Sequence, residues 1–174
     1  MKIYVIDDKR EEHKRAEFAI VQNGHELGTI MSEIQDGVID LAESSSLKEA
    51  HRNECDAYYE VEKKIYTAKA EGGGIITDMM FHMAAPLTEN DPIPPCGLLV
   101  IIQAMTIGVP VVVCTNANEV GDHHSQQMHW FYDGFISPAQ RRNSKLLSFG
   151  WVEDKNWDTA VKLLEQIHAQ HGDK

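Results

Sequence analysis

The chain has 174 residues, 43% of them hydrophobic, which is enough for one domain with a sizeable core. Its formal net charge of −11 argues against nucleic acid as the main partner, because phosphate backbones are bound through a basic footprint. The opening MKIYVID is cut by Asp7 before an apolar leader can form, and Cys55, Cys96 and Cys114 share no CxxC spacing. A cytoplasmic protein with reduced thiols is expected, without a disulfide or zinc framework.

Residues 2–6 read as a buried strand that stops at the acidic pair Asp7-Asp8. A charged helix to about residue 23 follows, with Ala16, Ala19 and Ile20 on its apolar side. GHELGTIMSEIQD is ambiguous, residues 38–42 alternate as a short strand, and Ser44, Ser45 and Ser46 offer an N-cap to a long helix over about 47–70. In this helical segment, 45–71, Tyr58, Val61 and Ile65 form one apolar side that should pack on the domain or on a second copy. Gly72, Gly73 and Gly74 end it, and Ile75, Ile76 and Thr77 lead to Asp78. Four of the six prolines fall in 85–95, which marks a loop. Residues 96–107 are helical and apolar nearly all round, and 111–114 form a β-branched strand. The run 96–117 carries no charge, long enough to raise a membrane span, but Gly108 and Pro110 interrupt it and favour helix, turn and buried strand. A helix over 119–132, a last strand over 146–152 and an amphipathic helix capped by Asp158, with Val161, Leu164 and Ile167 inward, complete the chain. Strands alternating with helices predict a doubly wound parallel sheet covered on both faces.

Ligands of such sheets bind beyond the carboxyl ends of the strands. There the sequence places Asp7 and Asp8 after strand one, Asp78 after strand three, Thr115 after strand four and Lys155 after strand five. Three carboxylates at one edge repel one another unless a cation lies between them, and oxygen ligands suit a hard ion such as Mg²⁺. A hydroxyl and an ammonium opposite suit a phosphoryl group. Together these groups describe phosphoryl transfer to an aspartate.

The stretches VIDD (5–8), IITDMM (75–80), GLLVIIQAMTIGVPVVVCTN (97–116) and DKNWDTAV (154–161) resemble the response regulator receiver domain in motif and element order over nearly the whole chain. The resemblance implies a five-stranded flavodoxin-like sheet of order 2-1-3-4-5 over residues 1–174, with a long helical insertion before strand three. It implies Mg²⁺ held by Asp7, Asp8, Asp78 and the Met80 carbonyl, phosphorylation of Asp78, and Thr115 and Lys155 as the groups that meet the phosphoryl oxygens. Self-phosphorylation from a phosphodonor would be its only chemistry. The expected partners are a histidine kinase or phosphotransfer protein and a downstream protein target, with a homodimer as an option and neither nucleic acid nor membrane. The chain departs from the family in several places. Asp8 and Asp78 lie 70 positions apart, Asn116 stands where a small residue is usual, Asn156 replaces the proline after the lysine, and Val152, beside Trp151, stands where the switch aromatic belongs.

Other readings of the same residues stay open. Asp7 or Asp8 could cap the first helix, and Ser137 could take the place of Lys155 if residues 134–138 formed strand five. The surface could serve a non-phosphorylated interaction module of the same fold. His82, His123, His124 and His129 could gather into a metal site, although solvated loop histidines suit their spacing better.

Overall fold

In the computed structural model the described residues are 1–7, 9–28, 47–79, 96–115, 149–152 and 154–172. They contain strands β1 (Lys2–Ile6), β2 (Glu26–Leu27), β3 (Gly74–Thr77), β4 (Val111–Cys114) and β5 (Phe149–Val152). The helices among them are α1 (Arg10–Gln22), α2 (Leu47–Ala70), α3 (Cys96–Ile107) and α4 (Trp157–Gly172). All strand pairs are parallel and the order is β2-β1-β3-β4-β5, as the resemblance implied.

The two-residue period of the strands divides the core. Tyr4, Ile6, Ile75, Val111, Val113 and Phe149 point to the face covered by α2 and α3. Ile3, Val5, Ile76, Val112, Cys114 and Val152 point to the face covered by α1 and α4. Burial on both faces explains why these strands read as continuous apolar runs rather than as alternating ones. The long helix α2 docks through Val61, Ile65 and Ala68, all buried, while Tyr58 sits at the margin with 37% exposure. Helix α3 is only half buried despite its composition, since Leu99 and Ile102 remain 45% and 50% exposed. No helix among the described residues is long and apolar enough to cross a membrane.

Two local expectations are corrected. The strand beside β1 is Glu26–Leu27, in the segment whose period was ambiguous, while residues 38–42 lie outside the described residues. Gly24, with φ of 75°, closes α1 and turns the chain directly back, so that Glu26 N–H donates to the Met1 carbonyl. The cap of α4 is Asn156, whose side chain accepts from Thr159 N–H at 3.0 Å; Asp158 lies inside the first turn and bonds Asn23 and Lys162. The helix expected over 119–132 lies outside the described residues.

Candidate functional site

Register alone brings the acids together. Ile6 pairs with Thr77, so the residues that follow, Asp7 and Asp78, leave adjacent strands side by side, and Asp78 N–H donates to the Ile6 carbonyl at 2.8 Å. Both carboxyl groups are buried, Asp7 at 0% exposure and Asp78 at 4%. Asp7 Oδ1 accepts from Lys9 N–H at 2.9 Å, and Asp78 Oδ1 accepts from Met79 N–H at 2.7 Å. The two remaining oxygens share one donor. Lys155 Nζ bonds Asp78 Oδ2 at 2.7 Å and also Asp7 Oδ2.

Lys155 reaches the acids because of the turn that carries it. Cys114 pairs with Val152, and Thr115 N–H donates to the Val152 carbonyl, which extends the β4–β5 ladder to the sheet edge. Asp154 and Lys155 then adopt φ of 62° and 47°, the left-handed region that costs a non-glycine residue about 1–2 kcal/mol. Lys155 N–H closes the turn on the Thr115 carbonyl at 3.2 Å. Two consecutive residues held in this region mark a place where surrounding bonds dictate the backbone. Here the two ion pairs and the Thr115 contact supply them. Strand five is Phe149–Val152, and Lys155 faces Asp78; Ser137 and the rest of 134–138 lie outside the described residues.

Burial pushes the Asp7 carboxyl up to about 6, with Lys155 drawing it down and Asp78 pushing it further up. Burial would lower the Lys155 ammonium, but Asp7 and Asp78 together hold it above its ordinary value. Burial thus sets the direction of the Asp7 shift, and the pull of Lys155 opposes it more than Asp78 adds to it. Oxygen donors in such surroundings fit a hard divalent cation. Asp7 and Asp78 are the described residues that could hold it; Asp8, Met80 and Asn116 lie outside the described residues. No group of three or more histidine, cysteine or acidic side chains suited to a metal occurs among the described residues, and His82, His123, His124 and His129 lie outside them.

Thr115 stands buried beside this trio, one residue past β4. Asp7 does not cap α1: the cap position is Lys9, with no side-chain bond, and Asp7 accepts from that residue's N–H. Helix α3 also defines the site, because Gly97 lies so near the Asp78 backbone that a Cβ there would stand 2.1 Å from the Asp78 carbonyl oxygen. Neighbours that sequence reasoning passed over are His13, whose Nε2 lies 2.5 Å from the Asp7 carbonyl oxygen, and Glu12, which accepts from the Trp157 indole N–H at 2.7 Å. Both sit in a helix that reads as charged and solvated; its contact with α4 turns Glu12 inward, and the end of β1 meets His13.

No protein-family model and no curated protein matches the chain. Among solved structures it is similar to the signal receiver domain of a modulated diguanylate cyclase from Desulfovibrio desulfuricans G20, described as an example of alternate folding. The TM-score is 0.50 at 12% identity, over 99% of this chain and 98% of that one. The chain has a receiver-like fold. In this receiver-like frame the acids and the lysine occupy the carboxyl ends of β1, β3 and β5, the edge at which doubly wound sheets bind their ligands.

Proposed function

We propose that the chain is a signalling receiver that accepts a phosphoryl group on Asp78 in the presence of Mg²⁺. The observation that carries the reading is one ammonium, Lys155, bonded at once to Asp7 and Asp78 at the carboxyl edge of the sheet. A carboxylate oxygen of Asp78 bonds phosphorus as the bond from phosphorus to the donor's leaving group breaks, giving an acyl phosphate. Lys155 turns from carboxylate to phosphoryl oxygens, and Thr115 offers its hydroxyl to the same group. Asp7, Asp78, Asp8 and the Met80 carbonyl are the residues that would hold Mg²⁺, which would supply positive charge against the charge developing on the transferring group. The phosphodonor is a histidine kinase or phosphotransfer protein, and the output is a changed protein-binding surface on a downstream target or a second copy. Incubation with acetyl phosphate and Mg²⁺ should add one phosphoryl group by intact mass. Asp78→Asn should abolish the addition.

A second reading has its own observation. All four oxygens of Asp7 and Asp78 already accept a hydrogen bond from within the chain, which is what a purely structural trio requires. On this reading the chain is a receiver-like interaction module that is never phosphorylated. An unmodified mass, under conditions that label a working receiver, would select it.

A further inference from the structure

Around the Lys155 ammonium the structure supplies one further wall. Two carboxylates meet it on one side; on another lies the indole of Trp157, with Nζ 5.9 Å from the ring centroid. Trp157 is the first residue of α4, two positions after Lys155, and it is buried. Its ring cannot turn freely, because Nε1–H donates to Glu12 Oε2 at 2.7 Å across the α1–α4 contact. Glu12 is itself held, its Oε1 accepting from Arg15 at 2.8 Å. The result is a relay of contacts, Arg15 to Glu12 to Trp157 to Lys155, that runs from the surface of α1 to the buried acids.

Each link has a physical reason. A lysine carries four rotatable bonds and presents no fixed direction of its own, unlike the planar fork of arginine. The strained turn fixes where its Cα lies but not where its ammonium lies. An aromatic face attracts a cation most strongly when water is excluded, as it is here. A buried indole N–H needs an acceptor, and a carboxylate acceptor makes the bond charge-assisted. Glu12 thus selects one ring orientation, and the ring face narrows the ammonium to the position from which it reaches both carboxylates.

We propose that Trp157, oriented by Glu12, is a positioning residue for Lys155, and that the pair sets how well the ammonium serves phosphoryl acceptance at Asp78. The functional half of this inference rests on the phosphorylation reading; the positioning half does not. Neither residue touches the reacting atoms, so neither is catalytic.

Four variants separate the links: Trp157→Phe keeps a ring face and removes the donor, Trp157→Leu removes both, Glu12→Ala removes the acceptor, and Glu12→Gln keeps an uncharged one. With acetyl phosphate and Mg²⁺, Trp157→Leu should slow labelling by about thirtyfold, the scale of a desolvated cation–π contact. Trp157→Phe and Glu12→Ala should fall between it and wild type, and Glu12→Gln should be restored to near wild type. A residue needed only for folding would not show rescue by Gln. Urea unfolding of the Glu12→Ala and Lys155→Met double-mutant cycle provides the second readout, since these side chains communicate through the indole. A departure from additivity of threefold or more in the unfolding constant, about 0.65 kcal/mol, supports the relay if it disappears when Glu12→Gln replaces Glu12→Ala. Additive cycles overturn the inference whether or not Asp78 is labelled. A wild type that is never labelled, with a non-additive cycle, overturns the phosphorylation reading and leaves the positioning intact.

Discussion

Replacing Asp7 by Asn should make stability less dependent on pH, and the size of the change follows from the burial of the site. The Asp7 carboxyl is raised from 3.8 to about 6, first by burial, with Lys155 opposing and Asp78 reinforcing. Between those two values the folded protein holds a proton that the unfolded chain has released. By linkage, stability therefore falls as pH rises through this window and is greatest below it. The whole shift corresponds to about 3 kcal/mol, of which about 2 kcal/mol is lost between about pH 4 and about pH 7. The Asn variant has no such proton, so its stability relative to wild type should rise by about 2 kcal/mol over the same interval.

The slope is the diagnostic, not the offset. An amide places an N–H₂ opposite either the Lys155 ammonium or the Lys9 N–H, two donors that both contact Asp7, and this cost does not vary with pH. Glu71, held low chiefly by its bond from Tyr4, and Asp158, held low chiefly by Asn23, give slopes of the opposite sign. They act equally in both proteins and cancel in the difference. Urea unfolding of both proteins with EDTA, in steps from pH 4 to pH 7.5, measures it. A difference that stays level, or that falls as pH rises, would refute the claim that burial raises the Asp7 carboxyl in the folded protein.

Three further outcomes test other parts of the structure. Lys155→Met should cost about 3–5 kcal/mol at pH 7 by leaving two buried carboxylates without their cation, and less near pH 4.5, where one can take up a proton; chemical denaturation at both pH values checks it. Gly97→Ala should cost about 1–3 kcal/mol and disturb Asp78, because the new methyl meets a backbone carbonyl that cannot turn aside; the loss would be read as a lower Tm with slower labelling. Ile65→Ala should cost about 2–5 kcal/mol if the long helix is docked as described, whereas Tyr66→Ala, at 52% exposure, should stay within about 0.5 kcal/mol by the same measurement.

The parts of the fold legible in the sequence were those governed by local chemistry. The buried strands ending at Asp7 and Asp78, the breaks at Gly72 and Gly108, and the amphipathic α4 each follow from residue types within a few positions. The order of strands followed from the resemblance. What stayed hidden depended on tertiary contact. Glu26–Leu27 is too short to show a period, and it is a strand only because β1 offers it a partner. Asp158 has the chemistry of a cap, but the turn at Asp154 and Lys155 starts the helix two residues earlier and leaves that role to Asn156. Glu12 and His13 look like any charged helix residues until α4 and the end of β1 close over them. For the site, Asp7, Asp78 and Lys155 were readable as strand-end residues, but the sharing of one ammonium by both acids was not.

That sharing also ties the two halves of the proposed chemistry together. Three mutually repelling acids were expected at the sheet edge; Asp8 lies outside the described residues, and Lys155 bridges the other two, Asp7 and Asp78. The trio carries one positive and two negative charges in a place with little access to water, where burial raises the Asp7 carboxyl against the pull of Lys155. A phosphoryl group on Asp78 would replace a single negative charge by nearly two, with Lys155 still the sole described cation in contact with both acids. The cost of that added charge, in a buried setting, can be met only by a further cation or by exposing the site to water. Among the described residues, β1, β3 and the Lys155 turn are bonded together at this edge, which favours a further cation over separation of the strands. On the proposed reading, metal binding and phosphorylation therefore stand or fall together at this site: a chain that binds no Mg²⁺ at Asp7 and Asp78 would carry a structural clamp there and act as the unphosphorylated module.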